Sequence, residues 1–202
     1  MTTGNGLSVG IFVFDGAEEL NVAGPYEVFT TWRERSALKP RVSTFSRDGR
    51  GVRLAQGLHM VPDGSTDDVD PLLVDVDPLL VLVHPGGPGV QRLVGDRAHL
   101  AWLHAMRART PLLTSVCTGS LAFAAAGLLA GRPATTHWDH VDELARLDPS
   151  ILVDTETRFV DDGDVVTSAG VSAGIDMALH LVERLENADV AEEVRRALQY
   201  EG

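Results

Sequence analysis

The chain has 202 residues, of which 44% are apolar, a composition typical of a globular protein with one large domain or two small ones. Its net charge of −12 argues against a surface that binds nucleic acid, and no apolar run reaches the roughly 18 residues that a membrane span needs. The single cysteine cannot form an intrachain disulfide, and the first residues do not resemble a secretion leader. We therefore expect a cytoplasmic protein without nucleic-acid or membrane partners.

The first half of the chain predicts strands, one helix and a hairpin. Residues 8–14 are apolar and β-branched, as in a buried strand, and Gly24-Pro25 then opens a predicted helix. There follow in chain order a strand, a short hairpin, a polar acidic connection and a core strand, at residues 40–45, 51–60, 63–78 and 79–83. The core strand leads into a loop that contains Gly86 and Gly87.

The second half predicts helices between buried strands. A helix at 97–109 precedes an apolar strand at 112–116, which breaks directly into a helix at 118–130. A short helix, a two-stranded hairpin and two final helices follow, at residues 139–147, 151–160 with 165–168, 172–185 and 188–200. This alternation predicts an α/β fold with a mostly parallel sheet that helices cover on both faces. No low-complexity linker is present, so a single domain over residues 1–202 is predicted.

Cys117 lies where the strand at 112–116 turns into a helix. The small residues Ser115 and Gly119 let such a turn close tightly, as in the Gly-x-Ser-x-Gly elbow that exposes a nucleophile above a sheet. The first N–H groups of the helix favour a thiolate at this point. The pattern predicts a nucleophilic cysteine. The alternative is an inert, buried cysteine that serves as a small hydrophobic residue.

Ligands bind parallel sheets at the carboxyl ends of the strands, where the Gly86-Gly87 loop and the Cys117 turn both lie. The N–H groups of Gly86, Gly87 and Thr118 are predicted to bind a developing negative charge as an oxyanion hole. The alternative for Gly86-Gly87 is a plain tight turn. The loop does not match a phosphate-binding loop, because it lacks the Gly-Lys-Ser/Thr ending and Pro88 has no N–H.

Six segments of the chain together resemble the ThiJ/PfpI superfamily, of the class I glutamine amidotransferase-like fold, and within it the isocyanide hydratase-like branch. They are FVFDG at 12–16, EELNVAGP at 18–25, PGG at 85–87, TSVCTGS at 114–120, ATTHW at 134–138 and SAGVSAGID at 168–176. The resemblance extends over residues 9–200. It implies a flavodoxin-like three-layer sandwich, a homodimer, and Cys117 as nucleophile with Thr118 positioning substrate or water. We predict no cofactor.

Asn21 departs from the pattern of this superfamily. The resemblance implies an acidic residue there, from the first strand-to-helix loop, that lies beside the cysteine and carries a proton. An amide can hydrogen-bond to sulfur but cannot exchange a proton near neutral pH. Glu18 or Glu19 could substitute if the loop were shifted. The alternative is that both are solvated side chains at the entrance of a helix.

The resemblance implies hydration of an isocyanide to an N-substituted formamide through a thioimidate on Cys117. An amidase or hydrolase would instead require a histidine base, for which His137 is the candidate; His137 is also predicted to line the substrate site. His140 lies three residues further on, but two histidines without a third ligand do not predict a metal site. The competing function is a non-catalytic sensor of a small molecule or an oxidant that uses Cys117 without turnover.

Overall fold

The computed structural model describes residues 7–66 and 79–201. Its strands are β1 Ser8–Phe12, β2 Arg41–Ser46, β3 Val52–Arg53, β4 His59–Met60, β5 Gly64–Ser65, β6 Leu79–His84, β7 Leu112–Val116, β8 Pro133–Ala134, β9 Leu152–Val153, β10 Phe159–Asp161 and β11 Val165–Ser168. Its helices are α1 Glu19–Arg35, α2 Val90–Val94, α3 Arg97–Arg107, α4 Gly119–Ala125, α5 Val141–Leu147, α6 Ala173–Leu185 and α7 Ala188–Ala197, with a 3-10 turn at Trp138–His140.

Seven of the described strands form one sheet in the order β10-β11-β7-β6-β1-β2-β5. All neighbouring strands in it are parallel except β10 and β11, which form an antiparallel edge. The chain leaves β1 toward β2 on one side and later continues from β6 toward β7 on the other. The carboxyl ends of β1 and β6 therefore lie at the point where the strand order reverses, which is where ligands bind open α/β sheets.

Two groups of helices cover the two faces of the sheet. The crossovers from β1 through α1 to β2 and from β6 through α3 to β7 run in opposite directions along the sheet. Because such crossovers are right-handed, α1 and α3 lie on opposite faces. α1 packs with α6 and α7, whereas α4 packs with α2, α3 and α5. Every residue of β1 and β7 is buried, as expected for strands covered on both sides. The predicted flavodoxin-like α/β sandwich is confirmed.

The start of α1 differs from the prediction. The helix begins at Glu19, so the prediction that Gly24-Pro25 opens it is wrong and Pro25 lies inside the helix. Gly24 allows α1 to approach α6 closely, because a Cβ at this position would lie only 2.9 Å from Ile175 Cγ1. The packing of α1 against α6 thus outweighs the backbone hydrogen bond that a proline removes.

The strand predicted over residues 151–160 is divided in two. β9 pairs with β8 in a separate two-stranded sheet, and only β10 pairs with β11 as the predicted hairpin. Between them, the carboxylate of Asp154 accepts hydrogen bonds from the N–H groups of Glu156 and Thr157. This side-chain turn interrupts the strand, which the sequence pattern did not predict.

Three other segments differ in detail. α2 was not predicted, and the helix predicted over 118–130 ends at Ala125, just before Gly127 turns the chain with a φ of +69°. In the predicted connection 63–78, β5 adds a strand to the sheet edge, and residues 67–78 lie outside the described residues.

Among the helices that the structure describes, none combines the length and the apolarity needed to cross a bilayer.

Candidate active site around Cys117

Cys117 follows β7 directly and has a φ of +59°, in the left-handed region that residues with a side chain rarely adopt. Its N–H donates to the carbonyls of Ser168 at 3.0 Å and Ala169 at 3.1 Å. Its own carbonyl accepts from Thr136 Oγ1 at 3.1 Å and Ser120 Oγ at 3.2 Å. These bonds hold a strained backbone in place, which is a feature of functional sites.

The Gly86-Gly87 loop and the Cys117 turn are in direct backbone contact. A Cβ on Gly86 would lie 2.4 Å from Thr118 N, and a Cβ on Gly119 would lie 2.3 Å from the carbonyl oxygen of His84, so side chains are excluded at both positions. The N–H of Gly87 donates to Thr118 Oγ1 at 2.9 Å. The Gly87 N–H predicted for an oxyanion hole is therefore engaged by Thr118, while the Thr118 hydroxyl keeps its own hydrogen to donate.

A cavity of about 310 Å³ lies over the Cys117 turn. Its walls combine predicted and unpredicted residues, including Cys117, Thr118, Gly87, His137, Glu18 and His140. The volume is at the lower end of the range for small-molecule sites, roughly 300–1,000 Å³. The structure thus brings Cys117, Thr118, Gly87 and His137 together around one small cavity. Gly86 lies behind the wall, buried against Thr118.

Asn21 is fully buried in the first turn of α1 and is not among the residues that line this cavity. Neither its side-chain oxygen nor its nitrogen has a hydrogen-bond partner among the described residues. A buried amide without partners costs about 1–3 kcal/mol per unsatisfied group. The position for which the sequence resemblance implies an acid therefore holds a neutral side chain without hydrogen-bond partners among the described residues.

The two glutamates near Asn21 have different roles. The carboxylate of Glu19 accepts hydrogen bonds from the backbone N–H groups of Gln56 and Leu58, so it stabilises the segment between β3 and β4. Glu18 lines the Cys117 cavity, its N–H donates to the Gly86 carbonyl at 2.9 Å, and its carboxylate accepts from the Gln56 side chain at 3.3 Å. Of the two predicted substitutes, only Glu18 is placed to meet a ligand.

His137 and His140 stand together at the cavity, with their ring centroids 5.9 Å apart. Burial, aided by the nearby His140, lowers the pKa of His137 below its usual value. His140 Nδ1 lies 2.8 Å from Glu143 Oε2, a partner that the sequence analysis did not identify. Within residues 7–66 and 79–201, no cluster of three or more acidic, histidine or cysteine side chains is arranged to hold a metal ion.

A buried histidine pair, also missed by the sequence analysis, lies behind the glycine loop. His84 is fully buried, and its Nδ1 donates to the Pro85 carbonyl at 2.9 Å. Its Nε2 must then accept from His99 Nε2, which is 2.9 Å away. Burial lowers the pKa of His84 well below its usual value and, with a smaller effect of Arg47, that of His99 to about 4. His84 could have been identified from the sequence as the one polar residue at the end of the apolar strand β6.

Comparison with known proteins relates the whole chain to one family. The model of the DJ-1/PfpI family matches residues 7–184. Isonitrile hydratase of Pseudomonas putida is 35% identical over 194 residues, which cover 96% of this chain and 78% of that protein. The HTH-type transcriptional regulator GbdR of Pseudomonas aeruginosa is 32% identical over 201 residues, and the chain covers 52% of it, about half the regulator's length.

Solved structures have the same fold. A ThiJ/PfpI family protein from Pseudomonas syringae superposes with a TM-score of 0.83 at 30% sequence identity, covering 100% of this chain and 79% of that one. DJ-1beta of Drosophila melanogaster superposes with a TM-score of 0.82 at 20% identity, covering 97% and 99% of the two chains. The second likeness concerns the fold alone.

Proposed function

This chain belongs to the DJ-1/PfpI family, and from that membership we propose that it is a cysteine-dependent enzyme that hydrates an isonitrile to an N-substituted formamide. The observation that carries the proposal is the placement of Cys117 on a strained, left-handed backbone beside a cavity of about 310 Å³. The 35% identity to isonitrile hydratase of Pseudomonas putida supports the choice of reaction.

The reaction consumes one water and needs no oxidant. The Cys117 thiolate attacks the terminal carbon of R–N≡C, and that carbon takes a proton to give the thioimidate R–N=CH–S–Cys117. Water then adds to the same carbon and the nitrogen takes a proton. The C–S bond breaks, R–NH–CHO leaves, and the thiolate is restored. The Thr118 hydroxyl, which already accepts from Gly87, is placed to donate its hydrogen to substrate or water.

The second candidate is a non-catalytic sensor that binds a small molecule or is oxidised at Cys117. Asn21 favours it, because the position that would carry a proton holds an amide. The identity to the regulator GbdR, 32%, is also consistent with a sensing domain. Within either function, a homodimer and a cytoplasmic location stay predictions, as does the expectation that the chain binds no nucleic acid.

Formamide production from a simple alkyl isonitrile separates the two functions. We expect product from the wild type and none from Cys117→Ala. Asn21→Asp should raise turnover if the side chain reaches the sulfur, because general acid–base catalysis contributes about 100-fold or more. Asn187→Asp is the matched control, since Asn187 caps α7 far along the chain and an aspartate caps equally well.

The sensor candidate replaces the enzyme if the wild type makes no formamide while iodoacetamide still alkylates Cys117 in the folded protein. If the wild type is active and Asn21→Asp turns over the isonitrile no faster, a carboxylate at position 21 does not contribute to proton transfer in this chain.

A further inference from the structure

The hydrogen bonds of His140 fix which of its nitrogens is free. Its Nδ1 lies 2.8 Å from Glu143 Oε2, and an ionised carboxylate can only accept, so the hydrogen is on Nδ1. Neutral His140 then carries a lone pair on Nε2. His140 is part of the wall of the Cys117 cavity, so Nε2 is the nitrogen available to a bound molecule as a proton acceptor.

Glu143 is itself held in place from a second helix. Its Oε1 accepts from Gln91 Nε2 at 2.9 Å, and Gln91, on α2, also lines the cavity. Burial alone would raise the pKa of Glu143. The hydrogen bonds from His140 and Gln91 together have the larger, opposite effect, so the pKa of Glu143 lies below its usual value. Glu143 therefore stays ionised and orients His140, as the carboxylate does in other histidine–carboxylate pairs.

His137 has the opposite arrangement. Its Nδ1 accepts from the N–H of Asp139 at 3.3 Å, so the neutral ring carries its hydrogen on Nε2. Burial, with the neighbouring His140, lowers the pKa of His137 and keeps the ring neutral near pH 7. His137 can thus donate a hydrogen bond to a ligand but has no free lone pair to take a proton, which argues against the predicted role of His137 as a base.

We propose that His140, oriented by Glu143, is the catalytic residue that moves protons in the Cys117 cavity, in the role that Asn21 cannot fill. This inference rests on the proposed hydration. His140 would touch the substrate or the attacking water directly. Glu143 acts through His140 and is a positioning residue.

The proton balance closes over one turnover. Protonated His140 gives a proton to the isonitrile carbon as the Cys117–carbon bond forms. Neutral His140 then takes a proton from water as the C–O bond forms, and passes it to the nitrogen of the opening C=N bond. Finally it takes the hydroxyl proton while the C–S bond breaks, so that Cys117 returns as thiolate and His140 as imidazolium.

The charged groups around His140 matter for any pH profile. Glu18 from the first loop, Cys117 from the elbow and His137 face the same cavity. Glu143 pairs with His140 directly, and Arg146 on α5 interacts with Glu143. The first test is therefore a comparison of variants at a single pH, and the pH profile is the second.

The first test measures kcat for hydration of a simple alkyl isonitrile by the wild type, His140→Gln and His180→Gln. His180 is the matched control: it pairs with Asp161 at 2.7 Å, and its side chain is 30% exposed against 35% for His140. We expect His140→Gln to lower kcat about 100-fold or more and His180→Gln to leave it unchanged. Iodoacetamide should still alkylate Cys117 in both folded variants, which shows that the fold and the nucleophile are intact.

The second test concerns Glu143. We expect Glu143→Gln to move the pH profile of kcat to lower pH, because the negative charge that favours the imidazolium is gone, and Glu143→Asp to restore part of it. A loss of stability alone would lower activity without moving the profile. In nitrogen NMR of the histidine rings, recorded at a pH high enough for both rings to be neutral, the wild type should show His140 with its hydrogen on Nδ1 and His137 with its hydrogen on Nε2.

Three results would overturn the inference. An active wild type with an equally active His140→Gln refutes His140 and leaves the hydration standing. An unmoved pH profile in Glu143→Gln refutes the positioning role. A wild type that makes no formamide refutes the hydration, and the catalytic role of His140 with it.

Discussion

Gly86 shows how closely the two loops of the site approach each other. A Cβ on this residue would lie 2.4 Å from Thr118 N and 2.5 Å from Thr118 Oγ1, distances at which something must shift. The neighbouring Gly87 N–H donates to the same Thr118 hydroxyl. Replacement of Gly86 therefore acts on the residue that follows the nucleophile.

We expect Gly86→Ala to lower kcat about 100-fold, since displacement of one preorganised donor beside a nucleophile has effects of that size. Gly95→Ala is the control, because Gly95 has a φ of −93° and no atom within 4 Å of an added Cβ. Steady-state rates of formamide production measure both variants. Equal rates for Gly86→Ala and the wild type would mean that Thr118 does not contribute to the reaction.

At the residue scale, a position that depends on backbone geometry could be predicted from the sequence better than the hydrogen-bond partners of individual side chains. The position of Cys117 follows from a strand, a small-residue turn and a helix in immediate succession. The pairing of His140 with Glu143 could be predicted only if the start of α5 were known, since their spacing of three residues brings them together on a helix. The hydrogen positions on the two histidine rings depend on Glu143 and Asp139, which no pattern identifies.

The helices and strands show where packing overrides local preference. A proline is a helix-start residue by propensity, yet α1 runs through Pro25 because α6 packs closely against Gly24. β7, by contrast, is buried throughout and has the bounds that its pattern predicts. Long, strongly patterned segments could be predicted; boundaries set by a partner helix or by a side-chain turn such as that of Asp154 could not.

The N-terminus of α7 offers a direct measurement at this scale. Asn187 Oδ1 accepts from the N–H of Val190 at 3.0 Å, so we expect Asn187→Ala to lower the free energy of unfolding by about 1 kcal/mol. Asn187→Asp should retain nearly the full free energy of unfolding of the wild type. Urea denaturation of the three proteins gives the comparison, and an alanine variant as stable as the wild type would mean that this cap contributes nothing.

At the scale of the whole molecule, the alternation of strands and helices predicts the type of sheet but not the order of its strands. Continuous apolar strands between amphipathic helices indicate a parallel sheet with both faces covered. The order of the strands and the pairing of β5 at the edge depend on long-range contacts that a single sequence does not state. The buried His84–His99 pair is likewise a product of tertiary packing.

That pair makes global stability depend on pH. Burial lowers the pKa of His99 from about 6.5 to about 4, so on acidification the unfolded chain takes up protons before the folded protein does. The free energy of unfolding should therefore fall by about 1.4 kcal/mol per pH unit from about pH 6.5 down to about pH 4, or about 3 kcal/mol in all. His84, whose pKa burial also lowers, adds to the loss in the same direction.

Urea denaturation at several pH values between 7.5 and about 4.5, above the range in which most carboxylates titrate, measures this dependence. His99→Gln keeps a donor for His84 and should reduce the slope. His104→Gln, on the exposed side of the same helix, should not. A wild-type stability that does not change over this range would contradict the assigned burial of an uncharged pair.

The residues of the cavity wall come from segments that follow β1, β6, β7, β8 and β11, so they span the chain from Glu18 to Val171. No short contiguous fragment of the sequence contains them all. The geometry around Cys117 therefore exists only when the centre of the sheet is complete, and contacts this distant in sequence form late and slowly in folding. Fraying of the opposite edge strand, β5, leaves the cavity intact, whereas any opening between β1, β6, β7 and β11 disrupts it. Enzyme activity therefore indicates that the centre of the sheet has folded as one unit. Recovery of activity after dilution from denaturant would mark the last step of folding.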